Sequence, residues 1–251
     1  MHKILANTYF LGKDIIYLPE CHSTNEEAYR RFKAGETQEG SIVITDRQTR
    51  GRGQRGNQWF SEPGMNLTFS LILTPEFMDA SEQFGLNMAV ALGIKEALSD
   101  YVPDIMVKWP NDIVHRVHGK LGGILIENTV SSQGIEISVV GVGLNINQVQ
   151  FPFPSATSLA ILAGAPLDKE EIFKVVITRI EKYYLMLKKG KEKTLKNLYQ
   201  YHLFRFGELS TYNDGEDFTG QIIGISDQGK LIIEKNNRSI HQYSFKQVRF
   251  V

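Results

Sequence analysis

The chain has a single cysteine, Cys21, and no surplus of either charge: 28 basic residues face 28 acidic ones among 251. One cysteine excludes an internal disulfide and fits a reducing compartment. No nucleophile signature surrounds Cys21, which therefore reads as a passive thiol, packed or at the surface. Balanced charge leaves no whole-molecule field to draw the protein to nucleic acid or an acidic membrane, so any anion site must be local. Long hydrophobic runs are missing too. Apolar stretches such as residues 135–143 are strand-sized, and the first residues lack the basic start and apolar segment of a secretory leader. A cytoplasmic protein is the expectation. No internal repeat or low-complexity tract is visible. An apolar content of 42% with 22% charged residues is ordinary for a globular chain that buries a core.

Residues 23–35, STNEEAYRRFKAG, begin with capping residues, carry acids early and bases late, and stop at glycine, which predicts a short helix. Residues 41–45, 65–73 and 105–108 read as strands. Between the last two, residues 83–98 read as an amphipathic helix, with Phe84, Met88, Ala91, Leu92 and Ala97 near helical spacing. Residues 121–128 and 135–143 read as two more strands, joined into a hairpin by the SSQG turn at 131–134. From 169 to about 200 the pattern is helical, carried by Ile172, Val175, Val176, Ile180 and Tyr184. After Phe206 it turns to short alternating strands broken at Asn213-Asp214-Gly215, Ser226-Asp227-Gln228-Gly229 and Asn236-Asn237, which predicts a small β-barrel.

Between residues 49 and 59 the chain reads TRGRGQRGNQW, in which Gly51, Gly53 and Gly56 have the spacing of a dinucleotide-binding loop. Such a loop must open a helix that holds the pyrophosphate. Here Pro63 and Gly64 interrupt the chain before a helix can develop, and a P-loop would need Gly-Lys-Ser or Gly-Lys-Thr at its end. What remains is a glycine-rich loop with Arg50, Arg52 and Arg55, able to bring backbone N–H groups and forked cations to a carboxylate or phosphate. Alone it reads equally as a solvated turn or a patch for RNA. Lys108-Trp109-Pro110-Asn111-Asp112 can set a lysine and a carboxylate at a strand end, or be a surface ion pair. Lys120 precedes a glycine-softened strand, or is an ordinary turn lysine. Gly141 to Asn147, GVGLNIN, ends a strand with small residues and two amides, suited to a base or ribose edge or to a simple bulge.

Taken in order, STN at 23–25, GRGQRGNQW at 51–59, KWPND at 108–112, GKLGGILIE at 119–127 and GVGLNIN at 141–147 resemble the biotin protein ligases, over roughly residues 15–250. The resemblance implies an α+β fold. Residues 1–204 would form a mixed sheet with flanking helices, like that of class II aminoacyl-tRNA synthetases, and residues 205–251 an SH3-like β-barrel. It also implies magnesium-dependent joining of biotin and ATP into biotinyl-5'-adenylate, then transfer of biotin to a lysine of a biotin carboxyl carrier domain. The catalytic residues would be Lys108, Lys120 and Arg52. Biotin would meet Ser23, Thr24, Asn25, Gln48, Arg52, Gly53, Gln54, Lys120, Gly122 and Gly123. ATP would meet Gly51, Arg52, Arg55, Trp59, Lys108, Asn111, Asp112, Asn145 and Asn147, with Asp112 as the magnesium ligand.

Two departures from the family pattern stand out. Gln54 and Asn57 occupy positions where arginine is common, which removes charge from the loop. Only 22 residues precede Ser23, too few for the winged helix-turn-helix of the family's repressors, so a ligase without DNA binding is expected. Exposed strand edges are compatible with a homodimer. A lipoate protein ligase is the near alternative and an RNA-binding module the distant one. His115 and His118 could be metal ligands, but without a third ligand nearby they read as solvated.

Overall fold

The computed structural model describes residues 6–131 and 134–251, and every side chain within them except that of Arg55. Ser132 and Gln133, the middle of the predicted SSQG turn, lie outside the described residues, as do the first five positions of the segment in which no leader was found. In chain order the first elements are β1 (Ile15–Cys21), α1 (Thr24–Lys33), β2 (Ile42–Gln48), β3 (Leu67–Leu73), α2 (Phe84–Leu98), β4 (Ile105–Lys108) and β5 (Asp112–His115). They continue through β6 (Gly119–Ser131), β7 (Gly134–Leu144), α3 (Leu159–Ala163), α4 (Lys169–Lys188) and α5 (Glu192–Tyr201). Five short strands follow: β8 (Leu209–Asn213), β9 (Asp217–Ile225), β10 (Leu231–Lys235), β11 (Ile240–Tyr243) and β12 (Arg249–Phe250).

The first seven strands form one mixed sheet in the order β1-β2-β3-β7-β6-β5-β4, parallel only between β1 and β2. Alternation along β2 sends Ile42 and Ile44 to one face and Val43 to the other. Ile42, Ile44, Leu71, Val140 and Val142 join the main core with α2 and α4, while Val43, Ile72 and Val139 pack with Ala28 of α1 in a smaller core. A strand covered on both faces leaves no side to solvent, and all seven residues of β3 are buried.

The helix expected at 83–98 is present as α2, but it is not amphipathic. Twelve of its fifteen residues are buried, because α4 and α5 cover the side turned away from the sheet. The single helical stretch expected from 169 to 200 is two helices, broken where Gly190 takes φ +68°. The short elements β1, β5 and α3 carry too little periodicity to be found alone. Cys21 ends β1 half-buried, and burial pushes its thiol pKa up, as befits a passive thiol.

The last five strands form a separate antiparallel sheet in the order β11-β10-β9-β8-β12, the small β-domain expected after Phe206, and its tight turns fall at the predicted sites. It is docked on the first unit. Trp109 donates its indole N–H to the Gly229 carbonyl at 2.8 Å and meets Phe245 edge to face at 6.4 Å.

A buried acid ties down the segment before β1. Glu181 of α4 is 3% exposed, and its carboxylate accepts the main-chain N–H of Tyr9, Phe10 and Leu11 at 2.7, 2.8 and 2.9 Å. Glu181→Ala would leave three donors without their acceptor in a dry site. The variant should lose about 3 kcal/mol of unfolding free energy in urea; a loss below about 0.5 kcal/mol would mean that the clamp carries no stability.

Candidate functional site

A cavity of about 470 Å³ opens on the sheet between the start of α1, the arginine-glycine loop, the β4–β5 turn and β12. Its first pole is the beginning of α1. Ser23 stands at the N-cap position in extended conformation yet makes no side-chain capping bond. Gln48, at the end of β2, does that work: its Oε1 accepts the Thr24 N–H at 2.8 Å. Beneath them Ser70, fully buried on β3, lies 2.7 Å from the Thr24 hydroxyl and 2.6 Å from Asn25 Oδ1. Asn25 donates to Glu127 Oε2 at 2.7 Å and to the Leu125 carbonyl at 3.3 Å. Thr24, Asn25, Gln48 and Ser70 are therefore oriented by one another, which fixes rotamers in a small space.

The opposite pole is cationic. Lys108 ends β4 and Asp112 begins β5 as its cross-strand partner, while Lys120 of β6 reaches back so that its ammonium sits 2.6 Å from Asp112 Oδ1. Burial pushes the Lys108 ammonium below the ordinary lysine range. Asp112 opposes that shift, and the positive charges of Arg205 and Lys120 add to it.

Between the poles lies the loop, folded as a small hairpin: Gly53 N–H donates to Asn57 at 2.7 Å and Trp59 N–H to Gly51 at 3.0 Å. Arg52 reaches from it to Glu127 Oε2 at 3.1 Å and to Glu26 at 3.6 Å. Two buried polar atoms in it, Gln54 Oε1 and Trp59 Nε1, have no hydrogen-bond partner, as befits a wall built to meet a polar ligand.

Most of the expected site residues thus meet in one place. Ser23, Thr24, Asn25, Gln48, Arg52, Gly53, Gln54, Trp59, Lys108, Asn111, Asp112, Lys120 and Gly123 all line the cavity. Gly51 sits on the outer side of the loop, in a neighbouring groove. The main chain of Arg55 belongs to the loop's 3-10 turn, Gln54–Gly56. Asn111 spends its amide on the Ile124 carbonyl at 2.6 Å.

Three expected site residues stand outside that cavity. Asn145 is buried 4% exposed and donates to the Thr157 carbonyl at 3.0 Å, and Asn147 clasps Leu167 through two bonds of 2.9 Å, so both amides brace loops outside the cavity. Gly122 faces Leu144 and the Gly143 carbonyl rather than the cavity. The histidines also differ from expectation. His118 is exposed, but His115 is buried, and its Nδ1 accepts the N–H of Val117 and His118 at 3.1 and 3.2 Å. Among the described residues no group of three or more His, Cys, Asp or Glu could hold a metal.

The family model described as biotin/lipoate A/B protein ligase matches residues 17–145, the span that builds both poles. The chain belongs to the biotin/lipoate A/B protein ligase family. A second model, the biotin protein ligase C terminal domain, matches residues 211–245. Among relatives, the bifunctional ligase/repressor BirA of Bacillus subtilis is 31% identical over 239 residues, covering 91% of this chain and 72% of that one. The biotin--[acetyl-CoA-carboxylase] ligase of Mycobacterium tuberculosis is 27% identical over 87% of this chain and 82% of its own. A solved biotin protein ligase from Aquifex aeolicus, in complex with biotin and ATP, superposes with a TM-score of 0.77 at 29% identity, covering 95% of this chain and 100% of that one.

In this family member several residues that the motifs left unassigned shape the site: Ser70, Glu127, Gly141, Gly143, Trp109 and the β-domain segment around Phe245 to Phe250. Gly141 and Gly143 were legible as small residues, but not as what they admit. A Cβ at Gly141 would lie 2.4 Å from Asn25 Oδ1, and one at Gly143 2.4 Å from the Trp59 ring. Only a bare Cα lets the helix start and the loop settle on β7. Gly143→Ala should therefore expel the Trp59 indole toward solvent. In a Trp109→Phe background the emission should shift to the red; an unshifted spectrum would contradict the packing of Trp59 on β7.

Proposed function

We propose that this protein joins biotin to ATP, releasing pyrophosphate, and then passes the biotinyl group from biotinyl-5'-adenylate to one lysine of a biotin carboxyl carrier domain. One observation carries the reading: a helix start crowded with hydrogen-bonding groups and a lysine–carboxylate cluster bound a single cavity, bridged by a cationic loop. The ureido ring of biotin offers N–H donors and a carbonyl acceptor, which suit Ser23, Thr24, Asn25 and Gln48. The apolar tail would run past Gly123 toward Lys120, whose ammonium would meet the carboxylate. Arg52, Gly53 and Gln54 would close over that carboxylate and the α-phosphate, with the main chain of Gly51 and Arg55 behind them. Lys108 would face the phosphates as a point charge, with Trp59 and Asn111 beside the nucleotide. For Asn145, Asn147 and Gly122 we propose framework roles instead.

The chemistry asked of these groups is positioning and charge neutralisation. A carboxylate oxygen attacks the α-phosphorus, and the bond to the departing pyrophosphate breaks. Lys108 and Lys120 offset the negative charge that builds up on the phosphoryl oxygens, more strongly in a half-desolvated cavity than in water. In the second step the carrier amine attacks the acyl carbon, and the adenylate leaves. Closure of the loop keeps water from the mixed anhydride meanwhile. A magnesium that arrives with the nucleotide would be met at this pole by Asp112, not by the lysines. Asp112 is the one carboxylate among the described residues lining the cavity, and magnesium usually combines one or two carboxylates with substrate phosphates. When bound it would supply further charge neutralisation.

The match to the biotin protein ligase C terminal domain supports biotin over lipoate. We further propose a domain boundary at residues 204–205, between Leu203, which bridges to β4, and Phe206, which bridges to β9. No helix among the described residues is long and apolar enough to cross a membrane; cytoplasmic residence is proposed from the lone cysteine. The outer edge of β1, first in the sheet order, offers main-chain groups for a second copy or the carrier's own strand.

Incubation with labelled biotin, ATP, magnesium and a carrier domain should label the carrier. Lipoate in place of biotin should give none, and the reverse outcome would overturn the assignment. Lys120→Ala should cut biotin-dependent pyrophosphate exchange by about a hundredfold or more with little change in unfolding midpoint. With Gln54 in an arginine's usual place, adenylate should be held loosely. Gln54→Arg should slow its release about tenfold, since a charge-assisted bond replaces a neutral one; an equal release rate would show that this position does not govern retention.

A further inference from the structure

We propose that Phe250 is a positioning residue for Lys108, so that the β-domain sets the protein's affinity for the nucleotide but not for biotin. The Lys108 ammonium lies 4.9 Å from the centroid of the Phe250 ring, within reach of the ring's negative face. Asp112, the cross-strand partner of Lys108, is paired instead with Lys120 at 2.6 Å. Asp112 attracts Lys108 while Arg205 and Lys120 repel it, and with that carboxylate paired to Lys120 the electron-rich ring is a second counter-surface for this half-buried cation at the cavity wall.

Phe250 is itself held in place. It pairs with Tyr212 across β12 and β8, and its ring meets Tyr212 edge to face at 5.4 Å and Phe204 at 6.3 Å. The next residue is pinned on both sides: Val251 N–H donates to the Thr211 carbonyl at 3.2 Å, and Arg205 Nη1 donates to the Val251 main-chain oxygen at 3.0 Å. A ring so braced is a fixed counter-surface. An aliphatic side chain would fill much of the same space and keep the packing, but it has no quadrupole to orient an ammonium.

The inference rests on the proposal that Lys108 faces the phosphates, and the test separates the two. Biotin-dependent ATP–pyrophosphate exchange would be measured on the full chain for Phe250→Leu, Phe250→Met, Phe250→Tyr, Lys108→Met and the double variant Phe250→Leu/Lys108→Met. Both aliphatic variants should raise the KM for ATP about fivefold while leaving the KM for biotin and the unfolding midpoint near the parent's. Phe250→Tyr should restore the parent value. Once Lys108 is gone, Phe250→Leu should add nothing. If Lys108→Met leaves the KM for ATP unchanged, the phosphate role of Lys108 fails and the inference with it. If Lys108→Met raises that KM but leucine, methionine and tyrosine at 250 behave alike, the positioning role of Phe250 alone is overturned.

Discussion

Two bare Cα positions on one central strand carry the site. β7 lies in the middle of the sheet, and at Gly141 and Gly143 it offers backbone where any side chain would block the approach of Asn25 and Trp59. Without that approach the first turn of α1 and the arginine-glycine loop would stand off the sheet, and the cavity would lose a wall at each place. The surrounding architecture follows from the same requirement. A sheet that takes a helix start and a loop on one side must be stabilised from the other, and there α2, α4 and α5 build a core in which α2 is buried nearly all round.

The cavity divides its chemistry by dielectric surroundings and charge. At the helix start the groups lining the cavity are neutral, with Ser70, Gln48 and the Glu127 carboxylate behind them holding Thr24 and Asn25 in fixed rotamers. Such a network suits a neutral, directional ligand. At the other end two lysines face one carboxylate, a local excess of positive charge in a chain whose total is zero. Arg52 ties the loop to the helix start: its fork rests on Glu127, which also holds Asn25, so the two share one carboxylate.

The β-domain is more than an appendage. Trp109, in the turn beside Lys108, is anchored in it by a hydrogen bond and an aromatic contact, and Phe250 comes from it to lie beneath the lysine. The cationic end of the cavity is therefore built across the join between the two units.

Much of this was readable in the residue string. Glycine-interrupted and cationic motifs marked the loop and strand ends, turn residues at 213–215, 226–229 and 236–237 marked the hairpins, and capping chemistry marked α1, because each of these signals is local. Tertiary structure alone decided the rest. Nothing in GVGLNIN says that its glycines face the cavity while Asn145 and Asn147 turn away to brace loops: strand alternation would put all four on one face, but β7 ends at Leu144 and the chain leaves the sheet there. Ser70, Glu127, Glu181 and Phe250 gain their roles from partners 45, 75, 170 and 142 positions distant. Chemistry that depends on such pairs is absent from any window of sequence; it exists only once the chain has closed on itself.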